Sequence, residues 1–363
     1  MPNINDEREI RLKKLAELRQ IDINPYPAKS VKKHTLQQAL DAKEGTALQV
    51  AGRIMTKREM GKLTFCHLQD ESAKMQIALK DGDLDKESYK LFIKKTDIGD
   101  IISVEGERFV THKGEPSILV KKWTLLTKAL LPLGDKFHGV QDEELRLRKR
   151  YLEMILEPET RELFRKASKF WQSTREFLLK ESFLEVETPV LETATGGADA
   201  TPFVTHHNAL DMDVYLRISM GELWQKRLIV GGFEKTFEIG RQFRNEGMSR
   251  EHLQDYTQME FYWAYADYEM GMELVEKLVK YIAEETFGTL KFTIGDYGEI
   301  DLSKKWEKID YTKTIKEKTD IDIFKATEKE MKKKLDDLKV EYDKADSKAR
   351  LVDSLWKYCR KTI

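Results

Sequence analysis

Between about residues 48 and 127 apolar side chains recur at every second position, the period of strands that bury one face. "LQVAGRI" puts Leu48, Val50, Gly52 and Ile54 on one side, and "LTFCHLQD" and "KMQIALKD" repeat the alternation. "GDIISVEGERFV" and "EPSILVKKWTLL" complete a set of five short strands, interrupted by a polar, helical stretch at "GDLDKESYKLFIKKT". The alternation sends Cys66 and Leu68 inward and Phe65, His67 and Gln69 outward. In the next strand it sends Met75, Ile77 and Leu79 inward and Gln76 and Lys80 outward.

Five such strands predict a small Greek-key barrel of the OB type. An outward phenylalanine flanked by amide and amine donors suits a surface that stacks and hydrogen-bonds a nucleic-acid base. The same spacing also serves a ring packed beneath a loop. Outside this region the period is helical. Residues 6 to 20 read as a charged helix with Leu12, Leu15 and Ala16 on one face, broken by the two prolines of "INPYPAKS". That helix either docks on the protein or touches RNA. "LPLGDKFHGVQDEELRLRKRYLEMI" reads as a linker running into a basic segment. Residues 160 to 180 then form an amphipathic helix whose stripe is Leu163, Phe164, Ala167, Phe170, Trp171, Phe177 and Leu178. This stripe serves either core packing or a dimer contact. "SFLEVETPVLE" follows as an extended segment ended by Pro189.

Two further strands are the chemically dense ones. In "TFEIGRQFRNE" Phe237, Ile239 and Phe243 share one face, and Glu238, Gly240, Gln242, Arg244 and Glu246 the other. In "YTQMEFYW" Met259, Phe261 and Trp263 oppose Tyr256, Gln258, Glu260 and Tyr262. Joined through "GMSREHLQD", they predict an antiparallel hairpin with a greasy face and a polar one. A solvated hairpin alternates too, but it does not need this aromatic content. Arg244 offers a planar fork suited to phosphate, and Tyr256 a stacking plane for a purine. Glu260 and, in "RISMGELWQKRL", Glu222 can hold an ammonium group. "TGGADATPF" supplies small residues where backbone approaches a ligand closely.

Composition narrows the setting. Of 363 residues 35% are charged and 40% apolar, with a net charge of −1, the balance of a globular chain with room for two or three domains. There is neither a signal-like apolar run at the start nor a membrane-length apolar stretch, and Cys66 and Cys359 lack metal-ligand spacing. A reduced, cytoplasmic setting is expected.

These motifs together resemble the class II lysyl-tRNA synthetases along the whole chain. "FRNEG…H…YTQMEFYWAYADY" is similar to the family's second signature motif, and "SFLEVETPVLE" to the first, whose proline sits at the dimer interface. "GGADATPFVTHHNALDMDVYLRIS", "REIRLKKLAELRQIDINPYP" and "GRIMTKREMGKLTFCHLQD" resemble further stretches of the lysine enzymes. The resemblance implies an α+β protein: a helical extension over 1–35, an OB-fold anticodon-binding domain over 36–135, and a class II catalytic domain over 136–363. That last domain would be an antiparallel sheet with flanking helices, incomplete at its C-terminal end, with a helical insertion at about 304–350.

It further implies ATP-dependent ligation of L-lysine to tRNA(Lys) through a lysyl-adenylate, by a homodimer using Mg²⁺. Arg244 would contact the α-phosphate and the carboxylate being activated. Glu246 and His252 would engage ATP with Asn245 beside them, and Tyr256 would stack on adenine. Gly197, Glu222, Glu260 and Tyr262 would line the lysine pocket, and Phe65, Gln76 and Glu115 would read the anticodon. His206 and His207 lack ligating company and are expected to be structural.

The pattern differs from the family in three places. The third signature motif, the completing strands and the acids expected to hold Mg²⁺ do not occur in these 363 residues, so the chain reads as the family's pattern cut before that motif. The activity of these residues on their own is not implied. "ISMGELWQ" carries one residue more than the family's pattern. Leu253 follows His252 where most lysine enzymes carry asparagine, a feature shared with the aspartyl and asparaginyl relatives. Those relatives are the nearest alternative, and a non-catalytic tRNA-binding fragment is the other.

Overall fold

The computed structural model describes residues 4–133, 143–247, 249, 252–295 and 298–362; much of the expected linker, at 134–142, and Glu251 lie outside them. The chain divides into two compact units, Met1–Leu163 and Phe164–Ile363.

In the first unit, helices α1 (Ile4–Gln20) and α2 (Leu36–Asp41) precede strands β1 (Ala47–Met60), β2 (Leu63–Gln69) and β3 (Lys74–Lys80). Helix α3 (Lys86–Lys95) and strands β4 (Ile101–Val110) and β5 (Pro116–Thr127) follow. The strands close into a barrel in the order β1-β2-β3-β5-β4, with β3 and β5 parallel and the other neighbours antiparallel. The period-two residues fill it: Leu48, Val50, Ile54, Cys66, Leu68, Met75, Ile77 and Leu79 share one core with Ile102, Val104, Ile118 and Val120. Burial pushes the Cys66 thiol up to about 12, which makes it an inert core group.

Alternation misplaces one residue. Gln76, expected on the outer surface, is 4% exposed and donates from Nε2 to Ser117 Oγ at 2.9 Å. It does lie on the side of β3 away from the core, beside the equally buried Ser117 of its parallel neighbour β5. Helix α1 docks on its own unit. Leu15 and Leu18 are buried, Ala16 is exposed, and Arg11 donates to the carbonyls of Ile98, Ala129 and Leu131.

Asp70 is the knot at the β2–β3 turn. Burial alone would raise its pKa, but hydrogen bonds from Ser72, the Leu36 amide, Lys32 and the Ala73 amide prevail and hold it at about 2. The unfolded carboxyl titrates near 4. The folded pKa is therefore depressed, and the stabilisation is complete above about pH 4 and lost as pH falls through about 2. Asp70→Asn is expected to cost about 1–2 kcal/mol at pH 7, a difference that narrows progressively in urea melts between pH 4 and 2.

Helices α4 (Glu143–Arg148) and α5 (Arg150–Leu156) come next, and α6 (Pro158–Lys180) leads into the second unit. Strands β6 (Leu184–Glu185), β7 (Leu191–Glu192), β8 (Val204–His207) and β9 (Met212–Leu216) follow, then a π-helical turn (Gly221–Gln225) and α7 (Lys226–Val230). The hairpin is β10 (Lys235–Phe243) and β11 (Asp255–Trp263), followed by α8 (Tyr268–Phe287) and the small pair β12 (Lys291–Ile294) and β13 (Gly298–Asp301). The central sheet is mixed, since β6 joins β10 in parallel while β10 and β11 run antiparallel.

Phe237, Ile239, Met259, Phe261 and Trp263 pack against Phe177 and Leu178 of α6 and Leu274, Leu278 and Ile282 of α8. Helix α8 starts where Asp267 accepts the Met270 amide and stops at Gly288 in the left-handed conformation. Only the C-terminal part of the α6 stripe is core; Phe164 and Phe170 are exposed. Helices α9 (Tyr311–Thr319), α10 (Glu328–Asp337) and α11 (Lys348–Cys359) form a separate cluster around Ile315, Met331, Leu335, Leu351 and Leu355.

Candidate active site

With its apolar face on α6 and α8, the hairpin turns Glu238, Gly240, Gln242, Gln258, Glu260 and Tyr262 the other way. Cross-strand pairing sets Glu238 opposite Glu260 and Gln242 opposite Tyr256. Two carboxylates side by side repel unless each finds a cation. Glu238 has one: Arg217, 3% exposed, donates from Nη1 to Glu238 at 2.6 Å and to the carbonyl and hydroxyl of Thr188, and from Nε to the Arg241 carbonyl. Glu260 accepts only neutral donors, Ser219 Oγ at 3.0 and 3.2 Å and Gln258 Nε2 at 2.7 Å. No described cation lies within ion-pair distance of it.

The wall facing Glu260 is the π-turn. A turn closed by i→i+5 bonds absorbs one extra residue, and it falls within "ISMGELWQ", at Gly221–Gln225. Gln225, fully buried, accepts the Thr236 hydroxyl at 3.0 Å and donates to the Glu260 carbonyl at 3.4 Å, tying the turn to the hairpin. Trp224 donates to Glu192 at 3.2 Å and carries the Arg227 guanidinium over its ring at 4.6 Å. Burial raises the pKa of Glu192.

Two glycines let this wall close. A Cβ on Gly221 would stand 2.2 Å from Glu260 Oε2 and 2.5 Å from the Tyr262 ring, and one on Gly197, at φ +88°, 2.6 Å from Glu222 Cβ. Gly197, Glu222, Glu260 and Tyr262, named from sequence for one pocket, are therefore brought together. The Tyr262 hydroxyl is pushed up by burial and then by the charges of Glu222 and Glu260, while Lys226 opposes them. Both carboxylates thus act on one phenol. Glu222 is itself ion-paired with Lys226, one helical turn on.

Beyond the end of β10 lies a cleft of about 330 Å³ lined by Arg244, Glu246, His252 and Tyr256, with Gly247, Leu253 and Gln254. The Arg244 guanidinium sits 5.7 Å from the centre of the Tyr256 ring, and its Nε is buried without a hydrogen-bond partner. His252 Nδ1 meets Ser249 Oγ at 2.7 Å. Asn245 stands apart from the cleft; its side chain is exposed and its amide donates to the Thr201 carbonyl. His206 lies between Asp211 and Asp213 at 3.4 and 3.2 Å.

Sequence reasoning missed Ser219, Gly221, Gln225, Lys226 and the Arg217–Thr188 pair. A single arginine inside the apolar "VYLRIS" was the available signal for Arg217.

On the first unit, Phe65 is half-buried on the outer side of β2, and Glu115 precedes β5 with its Oε1 3.0 Å from His67 Nε2. Gln76 lies on the same side but is covered.

A family model described as tRNA synthetases class II (D, K and N) matches residues 142–352, and one described as OB-fold nucleic acid binding domain matches 48–126. A lysine–tRNA ligase of Carboxydothermus hydrogenoformans is 47% identical, covering 88% of this chain and 66% of its own length. Those of Pelotomaculum thermopropionicum and Fervidobacterium nodosum are each 44% identical, covering 98% and 97% of this chain and 71% and 70% of theirs. The chain thus spans roughly two thirds of the length of these relatives.

Proposed function

The chain belongs to the class II tRNA synthetases, and within them to the lysine–tRNA ligases, and from that premise we propose that it binds L-lysine, ATP and tRNA(Lys) and takes part in lysyl-tRNA formation. The observation that carries the lysine assignment is Glu260: a carboxylate held by neutral donors, with no cation among the described residues, beside Glu222 and Tyr262. A half-buried carboxylate set opposite Glu238 gains from a cation, and an entering ε-ammonium supplies it. An acidic substrate would instead face the Glu260 carboxylate, with Glu222 paired to Lys226 beside it, which disfavours the aspartyl and asparaginyl reading.

The reaction needs no side-chain nucleophile. A carboxylate oxygen of lysine bonds to the α-phosphorus of ATP as the bond to pyrophosphate breaks. The terminal ribose hydroxyl of the tRNA then attacks the lysyl carbonyl, and AMP leaves. Arg244, with its unpartnered Nε, would sit against the carboxylate and α-phosphate as charge develops. Tyr256 would carry the adenine, with Glu246 and His252 at the cleft's rim. Mg²⁺ neutralises phosphate charge in such chemistry. Among the described residues no group of three or more acids, histidines or cysteines could hold it, so no step is assigned to it.

Phe65 and Glu115 would read the anticodon, with Phe65 as the stacking ring and Glu115 as the accessible acceptor, while the covered Gln76 would support the face through Ser117. The exposed Phe164 and Phe170 of α6 support a homodimer contact. The place of action would be the cytoplasm.

Calorimetric titration tests the assignment. Free lysine is expected to bind and aspartate to give no heat; the reverse result sinks the lysine reading. Arg244→Ala is expected to weaken ATP binding by roughly tenfold or more and to leave lysine affinity within about twofold.

A further inference from the structure

Phe65, His67, Gln76 and Ser117 lie on one outer face of the barrel, since His67 pairs with Gln76 across β2–β3 and Gln76 with Ser117 across β3–β5. On this face the His67 ring has a polar partner at each of its two nitrogens. The Thr56 hydroxyl oxygen accepts the His67 backbone N–H at 3.1 Å and lies 2.7 Å from His67 Nδ1. Having accepted one proton, that hydroxyl is free to donate its own to Nδ1, which leaves the ring proton on Nε2. Nε2 in turn is 3.0 Å from Glu115 Oε1. The His67 side chain is 19% exposed and that of Glu115 44%, so the ring is the packed member and the carboxylate the accessible one.

The other side of Glu115 is fixed through the backbone. Its amide donates to Thr111 Oγ1 at 3.0 Å, and its carbonyl accepts Ser117 Oγ, the hydroxyl to which Gln76 donates. A glutamate on a strand-entry loop has several rotamers and loses entropy when a ligand orders it. Here one carboxylate oxygen is held by His67, and the other is left as an acceptor.

We propose that His67 is a positioning residue of the RNA-reading face: pinned by Thr56, it aims the Glu115 carboxylate so that its second oxygen selects a base presenting an N–H donor. This rests on the barrel face reading RNA, as proposed above, and adds a residue that acts through Glu115 rather than on the base. A buried polar pair built only for stability would not change which base is preferred.

The test is fluorescence-anisotropy binding of the full chain to anticodon stem-loops of tRNA(Lys) in which each loop base is permuted in turn. The wild-type chain is expected to select at least about tenfold at one position. His67→Phe keeps the shape without the N–H and should cut that selection by about tenfold, whereas His67→Gln, which restores an N–H, should stay within about threefold of wild type. In a Glu115→Ala background His67→Phe should change selection by less than about twofold, because the two act as one unit.

Selection that survives His67→Phe, a Gln variant no better than Phe, or losses that multiply fully in the double variant would each overturn the proposal alone. A wild-type chain that binds no stem-loop, or binds all equally, would overturn the reading of the face together with it. Thr56→Val, expected to lose part of the selection through the freed tautomer, gives a second variant that leaves His67 in place.

Discussion

Gly221→Ala is expected to weaken free-lysine binding about a hundredfold while the protein still folds. The added methyl would meet Glu260 Oε2 at 2.2 Å and Tyr262 Cε2 and hydroxyl at 2.5 and 2.9 Å, well inside van der Waals contact. Those atoms are the ends of side chains, so the fold accommodates the methyl by rotating Glu260 and Tyr262 away. The backbone of β11 need not move. Alanine also loses less entropy than glycine on entering a helical turn, which offsets part of the steric cost. Loss therefore concentrates on function: a carboxylate swung out of register forfeits a charge-assisted hydrogen bond to the ammonium, about 1.5–3 kcal/mol, together with the close fit around it. Calorimetry with lysine, paired with thermal melting of the same variant, checks both halves. Unchanged lysine affinity would remove Glu260 from the pocket.

The alternation of apolar residues made much of this site legible, for a physical reason. A hairpin with one face on a core must expose the other, so Phe237, Ile239, Met259, Phe261 and Trp263 told where Glu238, Glu260 and Tyr262 would face. Alternation says nothing of what lies above a face. For that reason Gln76 was expected outward and is covered, and the difference between Glu238, neutralised by Arg217, and Glu260, held by neutral donors among the described residues, was invisible. The π-turn was hidden for a related reason. The spacing of "ISMGELWQ" does not say whether the segment is looped out or wound into a wide turn, and only the contacts of Gln225 with Thr236 and the Glu260 carbonyl hold it wound in. On α6 the helical stripe was correct as a period and ambiguous as a destination, since the same residues suit a core or a partner; Phe177 and Leu178 went to the core and Phe164 and Phe170 to the surface.

Arg217→Met is expected to destabilise the second unit by about 3–5 kcal/mol, the cost of removing one member of a buried ion pair. Arg217 serves four acceptors at once: Glu238, the Thr188 carbonyl and hydroxyl, and the Arg241 carbonyl. It therefore staples the end of β9 to the segment around Thr188 and to β10. With it gone, Glu238, 2% exposed, retains among the described residues only the Thr188 hydroxyl at 2.6 Å as donor. An unpaired carboxylate there would also lie opposite Glu260 and add to the negative charge at the proposed lysine pocket. The matching expectation is that Arg217→Met combined with Glu238→Leu recovers most of the lost stability, because a buried pair replaced as a whole by apolar side chains of similar size costs little. Urea melts of the wild-type chain, both single variants and the double variant measure the coupling directly. A double variant as unstable as the sum of its parts would mean that Arg217 contributes through the three Thr188 and Arg241 acceptors rather than through Glu238. Lysine affinity in the recovered double variant then separates Glu238 from Glu260, since of these two only Glu260 is proposed to hold the ammonium.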